Sequence, residues 1–220
     1  MTHDIALGNL ENLLKNSPKK QFAKGEFLLE TDQEVNSIFL IIKGFVRHYT
    51  VSDQGIEFTH NILKPHSLFP FHLALNRLSN PHYFEALTEV EVRVASCDQV
   101  ASFLQEKPEI LLALTKKLAS GLNQLTFRLE SLQFGTAQQK LAAILYLMGK
   151  RFGKGEKEIT LNTFSLTHQL LASMTGLTRE TISLEMMSLK KQGLIDYRRQ
   201  QVKINDMEKL REISSLPFYY

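Results

Sequence analysis

The segment Leu166–Ile195, LTHQLLASMTGLTRETISLEMMSLKKQGLI, decides how the C-terminal part of this chain folds. Its pattern predicts two short helices joined by a tight turn. Ala172 allows the helices to approach each other closely, and Gly176 suits a turn residue that needs a positive φ angle. The second helix has an apolar stripe that we expect to be buried, formed by Ile182, Met186 and Leu189.

The stripe leaves a polar face on the second helix, with Arg179 and Glu180 at its N-terminal end. In a helix-turn-helix, this end of the recognition helix contacts the bases. Arginine can donate two hydrogen bonds to guanine, and glutamate can accept one from cytosine. Because a glutamate is unfavourable beside phosphates, its presence favours base reading over nonspecific binding. The alternative is an ordinary helical hairpin whose second helix has a capped, charged first turn. Further along the same face lie Ser183, Leu184 and Met187.

Residues around these two helices suit contacts with the DNA backbone. Threonine hydroxyls can donate to phosphates, and helix N-termini favour anions. The stretch Asp196–Ile204 predicts a small hairpin with a basic tip, as in a winged helix-turn-helix, and Lys203 adds to its charge. Besides Arg179, Glu180, Ser183 and Leu184, the expected DNA-binding residues are Thr167, Gln169, Thr178, Thr181, Arg198 and Arg199.

The N-terminal half has a different pattern. Between Phe22 and Ser96, short runs of β-branched and aromatic residues alternate with glycine and proline turns, which predicts an antiparallel roll, barrel or sandwich. The expected fold class is therefore α+β. We expect a β-roll at residues 1–107, a dimerisation helix at 108–135 and a winged helix-turn-helix at 136–220.

A leucine repeat links the two halves. Its mean spacing of 3.5 residues is that of a coiled coil and predicts a long helix whose seam pairs with a second copy of the chain. The alternative is that the seam packs on the β-domain of its own chain, and Gly121 weakens the helix. The seam residues are Leu111, Leu114, Leu118, Leu122, Leu125, Leu129 and Leu132.

Charge and composition favour a nucleic-acid partner. Residues 136–220 carry 13 Lys and Arg against 8 Asp and Glu, a net +5, whereas the whole chain of 220 residues has a net +3. A basic C-terminal part is typical of a polyanion-binding module. The single cysteine, Cys97, fits a reducing cytoplasm. Apolar runs are far below the ~18 residues needed to span a bilayer, and we see no secretory signal.

Five motifs together resemble the CRP/FNR family of bacterial transcription regulators. They are Phe22–Glu26 (FAKGE), Ile38–Gly44 (IFLIIKG), Asp53–Gly55 (DQG), Pro108–Leu111 (PEIL) and Thr175–Ser183 (TGLTRETIS). The resemblance implies an effector-sensing β-roll, a long helix that pairs two subunits, and a winged helix-turn-helix. It also implies that the dimer binds double-stranded DNA at an inverted-repeat operator.

The chain departs from this family in several places. Leu184 stands where the family usually has a base-contacting arginine, and Asp32 replaces a usual glycine in one turn. The stretches that would hold a cyclic nucleotide, His66–Leu75 and Ser79–Ala86, have no arginine where the phosphate needs one, so cAMP is not expected. The N-terminal cysteines of iron–sulfur members are missing.

The same stretches suggest where another small-molecule effector binds. The candidate residues are Phe69, Phe71, His72, Tyr83 and Phe84; the alternative is that these side chains simply fill the roll. Arg128 is expected to couple this site to the DNA-reading helices. Since the histidines show no close ligand spacing in sequence, no metal site, cofactor or catalytic residue is expected.

Two other functions stay open at this point. One is an effector-independent DNA-binding protein with a vestigial roll. The other is a cupin-like metalloenzyme with a DNA-binding tail, which needs a histidine and carboxylate triad in the roll. The sequence does not distinguish activation from repression; activation would add RNA polymerase as a partner.

Overall fold

The computed structural model of the protein describes residues 14–156, 158–198 and 200–214. The chain divides into two compact units after Leu122, within a long helix. The three-part division expected from the sequence stays a prediction. Among the described residues, no helix has both the length and the apolar character needed to cross a bilayer.

Two antiparallel four-stranded sheets form the body of the N-terminal unit. Its strands are β1 (Lys19–Phe22), β2 (Phe27–Leu29), β3 (Ser37–Lys43), β4 (Val46–Val51), β5 (Glu57–Leu63), β6 (Leu68–Phe69), β7 (Tyr83–Ala86) and β8 (Val90–Ser96). One sheet has the order β1-β8-β3-β6 and the other β2-β7-β4-β5. The predicted antiparallel β-domain is confirmed, although β1 lies almost entirely before the stretch from Phe22 to Ser96 in which the strands are predicted.

Strand β3 supplies residues to both cores of this unit. Ile38 and Leu40 belong to a cluster with Val100 and Leu114. Phe39 and Ile41 belong to a second cluster with aromatic residues of the sheets. Side chains alternate between the two faces of a strand, so the continuous apolar run of β3 fits a strand that is buried on both sides.

Three helices complete the description of this region: α1 (Phe71–Asn76), α2 (Cys97–Glu106) and α3 (Pro108–Phe134). The long helix α3 confirms the prediction from the leucine repeat. Helix α2 begins with a capping box, in which Ser96 and Gln99 satisfy each other's backbone N–H groups. At the turn where the family usually has glycine, Asp32 adopts a φ of 63°, so an aspartate keeps the left-handed geometry there.

The leucine repeat divides into buried and exposed members. Leu114 is buried in the core of the roll, and Leu132 is half-buried. These two leucines are therefore not on an open seam, because they pack within their own chain. The other five are 44–64% exposed: Leu111, Leu118, Leu122, Leu125 and Leu129.

The C-terminal unit consists of helices around a small antiparallel sheet of order β10-β11-β9. Thr136 and Gln139 form a capping box that starts the first complete helix of the unit. The elements are α4 (Ala137–Phe152), β9 (Ile159–Leu161), α5 (His168–Thr175), α6 (Arg179–Lys191), β10 (Ile195–Arg198), β11 (Gln201–Ile204) and α7 (Met207–Ser214). The predicted helix-turn-helix and hairpin are confirmed, and the basic residue Arg198 lies in strand β10 rather than at the hairpin tip.

Gly44 provides a test of the roll. It has a φ of 90°, and a Cβ atom there would collide with the backbone of Glu89 and Val90. We expect Gly44→Ala to lower the free energy of unfolding of the roll by more than about 2 kcal/mol, the sum of backbone strain and overpacking. Gly55 is the matched control, because its φ is 76° but a Cβ atom there would meet nothing within 4 Å. Gly55→Ala should cost only about 1–2 kcal/mol, and equal losses in denaturant titrations would contradict the predicted collision.

Candidate nucleic-acid interface and effector site

The turn between α5 and α6 has the geometry that a helix-turn-helix requires. Gly176 adopts a φ of 67° and its N–H donates to the carbonyl of Ala172. This left-handed residue ends α5 and redirects the chain, as glycine does at many helix C-termini. Thr167 starts α5 by accepting a hydrogen bond from the N–H of Leu170 at 3.0 Å.

Helix α6 buries one face and exposes the other. Its stripe of Ile182, Met186 and Leu189 is almost fully buried, as predicted. Arg179 and Glu180 are exposed in the first turn, and Leu184 follows them with 62% of its surface exposed. The helix therefore presents a cation, an anion and an apolar side chain from one accessible end, while Ser183 is half-buried beside them.

Two threonines organise the N-terminus of α6. The Thr178 hydroxyl accepts a hydrogen bond from the N–H of Thr181 at 3.1 Å, and the two hydroxyl oxygens lie 2.9 Å apart. Only one hydroxyl hydrogen is used within this pair, so the other can be donated to a phosphate oxygen. At α5, Gln169 is exposed next to the Thr167 cap.

The hairpin carries fewer uncompensated charges than the sequence suggested. Lys203 forms an ion pair with Glu158 at 2.7 Å, and Lys190 forms one with Asp196 at 2.6 Å. These carboxylates offset two of the positive charges near the expected DNA surface. Arg198 is exposed at the end of β10, and Arg199 lies outside the described residues.

Arg128 has a local role in the C-terminal unit. Its guanidinium donates to the backbone carbonyl of Met174 at 2.9 Å, so it connects α3 to the end of α5. Burial lowers the pKa of Arg128 to about 10. This value is still well above neutral pH, so the guanidinium remains charged. This contact gives Arg128 a structural function, and the expected coupling to an effector remains a prediction.

In the roll, the structure supports the alternative that several of the candidate effector residues fill the core. Phe69 stacks on Phe39 and Phe84 with ring centroids 5.3 and 5.0 Å apart. Phe71 belongs to the other apolar cluster. These three candidates, Phe69, Phe71 and Phe84, are at most 8% exposed, so they offer little surface to a ligand.

The two remaining candidates are more accessible. Tyr83 is half-buried and stacks on Tyr49 at 5.3 Å, and His72 is exposed. Partial desolvation by neighbouring atoms lowers the pKa of His72, which favours its neutral form. The single cysteine, Cys97, donates to the carbonyl of Val35, and burial raises the pKa of its thiol. The unreactive thiol form is therefore favoured.

A group of histidines that sequence reasoning missed lies beside these residues. The ligand atoms of His48, His60 and His82 are all within 4.8 Å of one another. Burial, with help from His82, His60 and His72, lowers the pKa of His48 to about 2. Linear spacing in the sequence gives no signal for this cluster, because its members come together only through strand pairing.

Comparisons with known families agree with both halves of the structure. The cyclic nucleotide-binding domain family matches residues 19–107, and the Crp-like helix-turn-helix domain family matches residues 139–213. Together they account for most of the chain.

Individual proteins extend the similarity over nearly the full length. The anaerobic regulatory protein of Pasteurella multocida is 26% identical over 94% of this chain and 75% of its own length. A CRP-like cAMP-activated global transcriptional regulator of Mycobacterium tuberculosis is 28% identical over 90% of this chain and 88% of its own. A solved mutant of CooA from Carboxydothermus hydrogenoformans has a TM-score of 0.76 and 26% identity, covering 92% of this chain and 90% of that one.

The cap of α6 provides a stability test of this surface. Thr178→Ala should lower the free energy of unfolding of the C-terminal unit by about 1 kcal/mol, because it leaves the N–H of Thr181 without its side-chain acceptor. Thr178→Ser keeps a hydroxyl and is the matched control. In urea titrations followed by circular dichroism, the alanine variant should unfold at a lower urea concentration than the serine variant. Identical midpoints would argue against the cap.

Proposed function

We propose that this chain, which belongs to the CRP/FNR family of transcription regulators, binds an inverted-repeat DNA operator as a homodimer. As in that family, it is a DNA-binding regulator with a sensor domain. The proposal that the chain reads a specific operator rests on the exposure of Arg179 and Glu180 at the start of a helix whose opposite face is buried.

Base reading is assigned to the first turns of α6. Arg179 donates to guanine N7 and O6, and Glu180 accepts from cytosine N4. Leu184 cannot make the guanine contact of an arginine, but its exposed side chain suits the methyl group of thymine. The operator therefore has a G·C pair at the position of Arg179 and differs from that of family members with arginine at 184.

Contacts with phosphates orient the unit on the duplex. Thr167, Gln169, Thr178 and Thr181 lie at the two helix N-termini, where hydroxyls, an amide and backbone dipoles favour an anion. The exposed Arg198 extends this surface onto the hairpin, and Arg199 is assigned the same role from the sequence.

A second copy of the chain is the proposed partner of the exposed leucines on α3. The four residues Leu118, Leu122, Leu125 and Leu129 are each at least half exposed and follow the spacing of a coiled-coil seam. An apolar row of this length on a surface is typical of a protein interface. Pairing two chains along it presents two recognition helices, which a two-fold symmetric operator requires.

The proposed effector is a small molecule other than cAMP. A bound phosphodiester needs a cation nearby, and two arginines of the roll, Arg47 and Arg77, have other partners. Arg47 is paired with Glu57 at 2.7 Å and donates to Thr59 at 2.8 Å. Arg77 lies on the surface, 3.5 Å from Asp98.

Effector-independent binding is the second candidate, and the packing of Phe69, Phe71 and Phe84 into the core favours it. Operator titrations of purified protein, with and without the small-molecule fraction of a cell extract, separate the two. A shift in affinity supports regulation by an effector, and unchanged affinity supports a vestigial roll.

Substitutions in α6 test the base contacts. Arg179→Ala should reduce discrimination at one base pair per half-site by roughly 1–3 kcal/mol, and Glu180→Ala should relax preference at a neighbouring pair. Selection of binding sites from a random library, followed by affinity measurements at fixed salt, gives both quantities. Lys24→Ala, which removes an exposed charge from the roll, is the control. If both α6 variants select the parent's sites, the recognition-helix assignment is wrong.

Charged substitutions on α3 test the dimer. Leu122→Asp combined with Leu125→Asp should convert the dimer into a monomer in sedimentation experiments, because four carboxylates would be buried per pair of chains. Leu78→Asp is the control, since Leu78 is similarly exposed but lies on the roll. A double variant that keeps the parent's mass, or a parent that is monomeric throughout, would overturn the proposed pairing.

A further inference from the structure

Three histidine rings form a compact cluster in the roll. The ring centroids of His48 and His60 are 4.9 Å apart, those of His48 and His82 are 4.6 Å apart, and those of His60 and His82 are 5.0 Å apart. One ligand nitrogen from each ring lies within 4.8 Å of the other two. The three rings therefore converge on a common point.

Strand pairing explains this convergence. On β4, His48 is paired with Asn61 of β5, whereas its neighbour Tyr49 is paired with Thr59. The register therefore shifts at His60, as in a β-bulge, which changes the direction of side chains locally. On the other side, His48 is paired with Phe84 of β7, and His82 lies immediately before that strand begins.

Neighbouring groups hold the rings in place. Phe84 stacks nearly parallel to His48, with centroids 4.5 Å apart, and Phe58 meets His60 edge-on at 5.3 Å. The Thr50 hydroxyl lies 3.2 Å from Nε2 of His60. These contacts orient the rings towards one another before any ligand arrives.

The buried Asn80 fixes the backbone of His82. Its amide nitrogen donates to the carbonyls of Glu30 and His82, both at 2.6 Å, and its side-chain oxygen accepts from the N–H of His82 at 3.1 Å. An asparagine with this many backbone contacts is a positioning residue for the histidine. The cluster is thus supported at the backbone as well as at the rings.

Two nitrogens of the cluster are buried and lack a hydrogen-bond partner: Nε2 of His48 and Nδ1 of His82. Buried polar atoms in proteins normally have a partner, and an unsatisfied one is destabilising. Three imidazoles crowded together also disfavour protonation of any one of them. Neutral rings with available lone pairs are the form in which histidine binds metal ions.

We propose that His48, His60 and His82 bind one divalent transition-metal ion of the zinc class. Imidazole nitrogen suits Zn²⁺ and its neighbours Co²⁺, Ni²⁺ and Cu²⁺, whereas Mg²⁺ and Ca²⁺ prefer oxygen ligands. The cluster contains no carboxylate, so it also differs from the histidine and carboxylate set that the cupin-like alternative required.

Coordination of a metal ion requires the three ligand nitrogens to move only slightly closer together. With Zn–N distances of about 2.1 Å, tetrahedral ligands lie roughly 3.4 Å apart, so the widest pair must approach by at most roughly 1.4 Å. Rotation about the broad second torsion of histidine allows this. Three protein ligands leave one coordination position for water or a small ligand. The site is confined to the roll and does not depend on DNA binding.

Metal titration of the full chain, purified without a polyhistidine tag, tests the site. We expect one equivalent of Zn²⁺ per chain in isothermal titration calorimetry, unaffected by millimolar Mg²⁺. Co²⁺ should give the visible absorption of a tetrahedral complex, which Zn²⁺ should abolish. Absence of saturable binding would overturn the proposal.

Variants assign the ligands. His60→Gln and His82→Gln should each weaken Zn²⁺ binding by more than about tenfold. His66→Asn is the matched control, because it removes a histidine outside the cluster and asparagine tolerates the φ of 69° at that position. Circular dichroism checks that each variant is folded. Binding that survives in both ligand variants, or falls equally in the control, would place the ion elsewhere.

Discussion

Burial of one face of helix α6 determines which side chains this protein presents to its surroundings. Ile182, Met186 and Leu189 lie in the core of the C-terminal unit, and the helical period then leaves Arg179, Glu180 and Leu184 outside. The exposed end keeps its position because the helix is anchored by its apolar stripe and begins at a threonine cap. The proposed chemistry of DNA recognition therefore depends on packing that never contacts DNA.

The C-terminal unit was predictable from the sequence because its determinants are local. The apolar stripe of α6, the glycine of the turn and the threonine caps all lie in one continuous segment between Thr167 and Leu189, so spacing alone indicates the fold. The leucine repeat was predicted less completely. Its period predicts the helix, but spacing does not tell which turns pack within the same chain: Leu114 is buried in the core of the roll, and Leu132 is half-buried in the C-terminal unit.

The roll was predictable as a class of fold but not as a site. Its strand runs indicated antiparallel sheets, yet the aromatic residues named as effector contacts are mostly core residues. Aromatic side chains serve either purpose, and only the register of the strands distinguishes them. The histidine cluster shows the same limit more sharply, because its members are 12 and 22 residues apart along the chain and meet through cross-strand pairing.

The register shift at His60 in β5 has a consequence for how such rolls diverge. Side chains alternate between the two faces of a strand. Deleting one codon from β5 would therefore remove the register shift and move the imidazole of His60 away from the other two. A single insertion would create the arrangement in a strand that already carries the histidines. Among related rolls, the histidine cluster can therefore form or be lost through one insertion or deletion, without substitution of the histidines themselves.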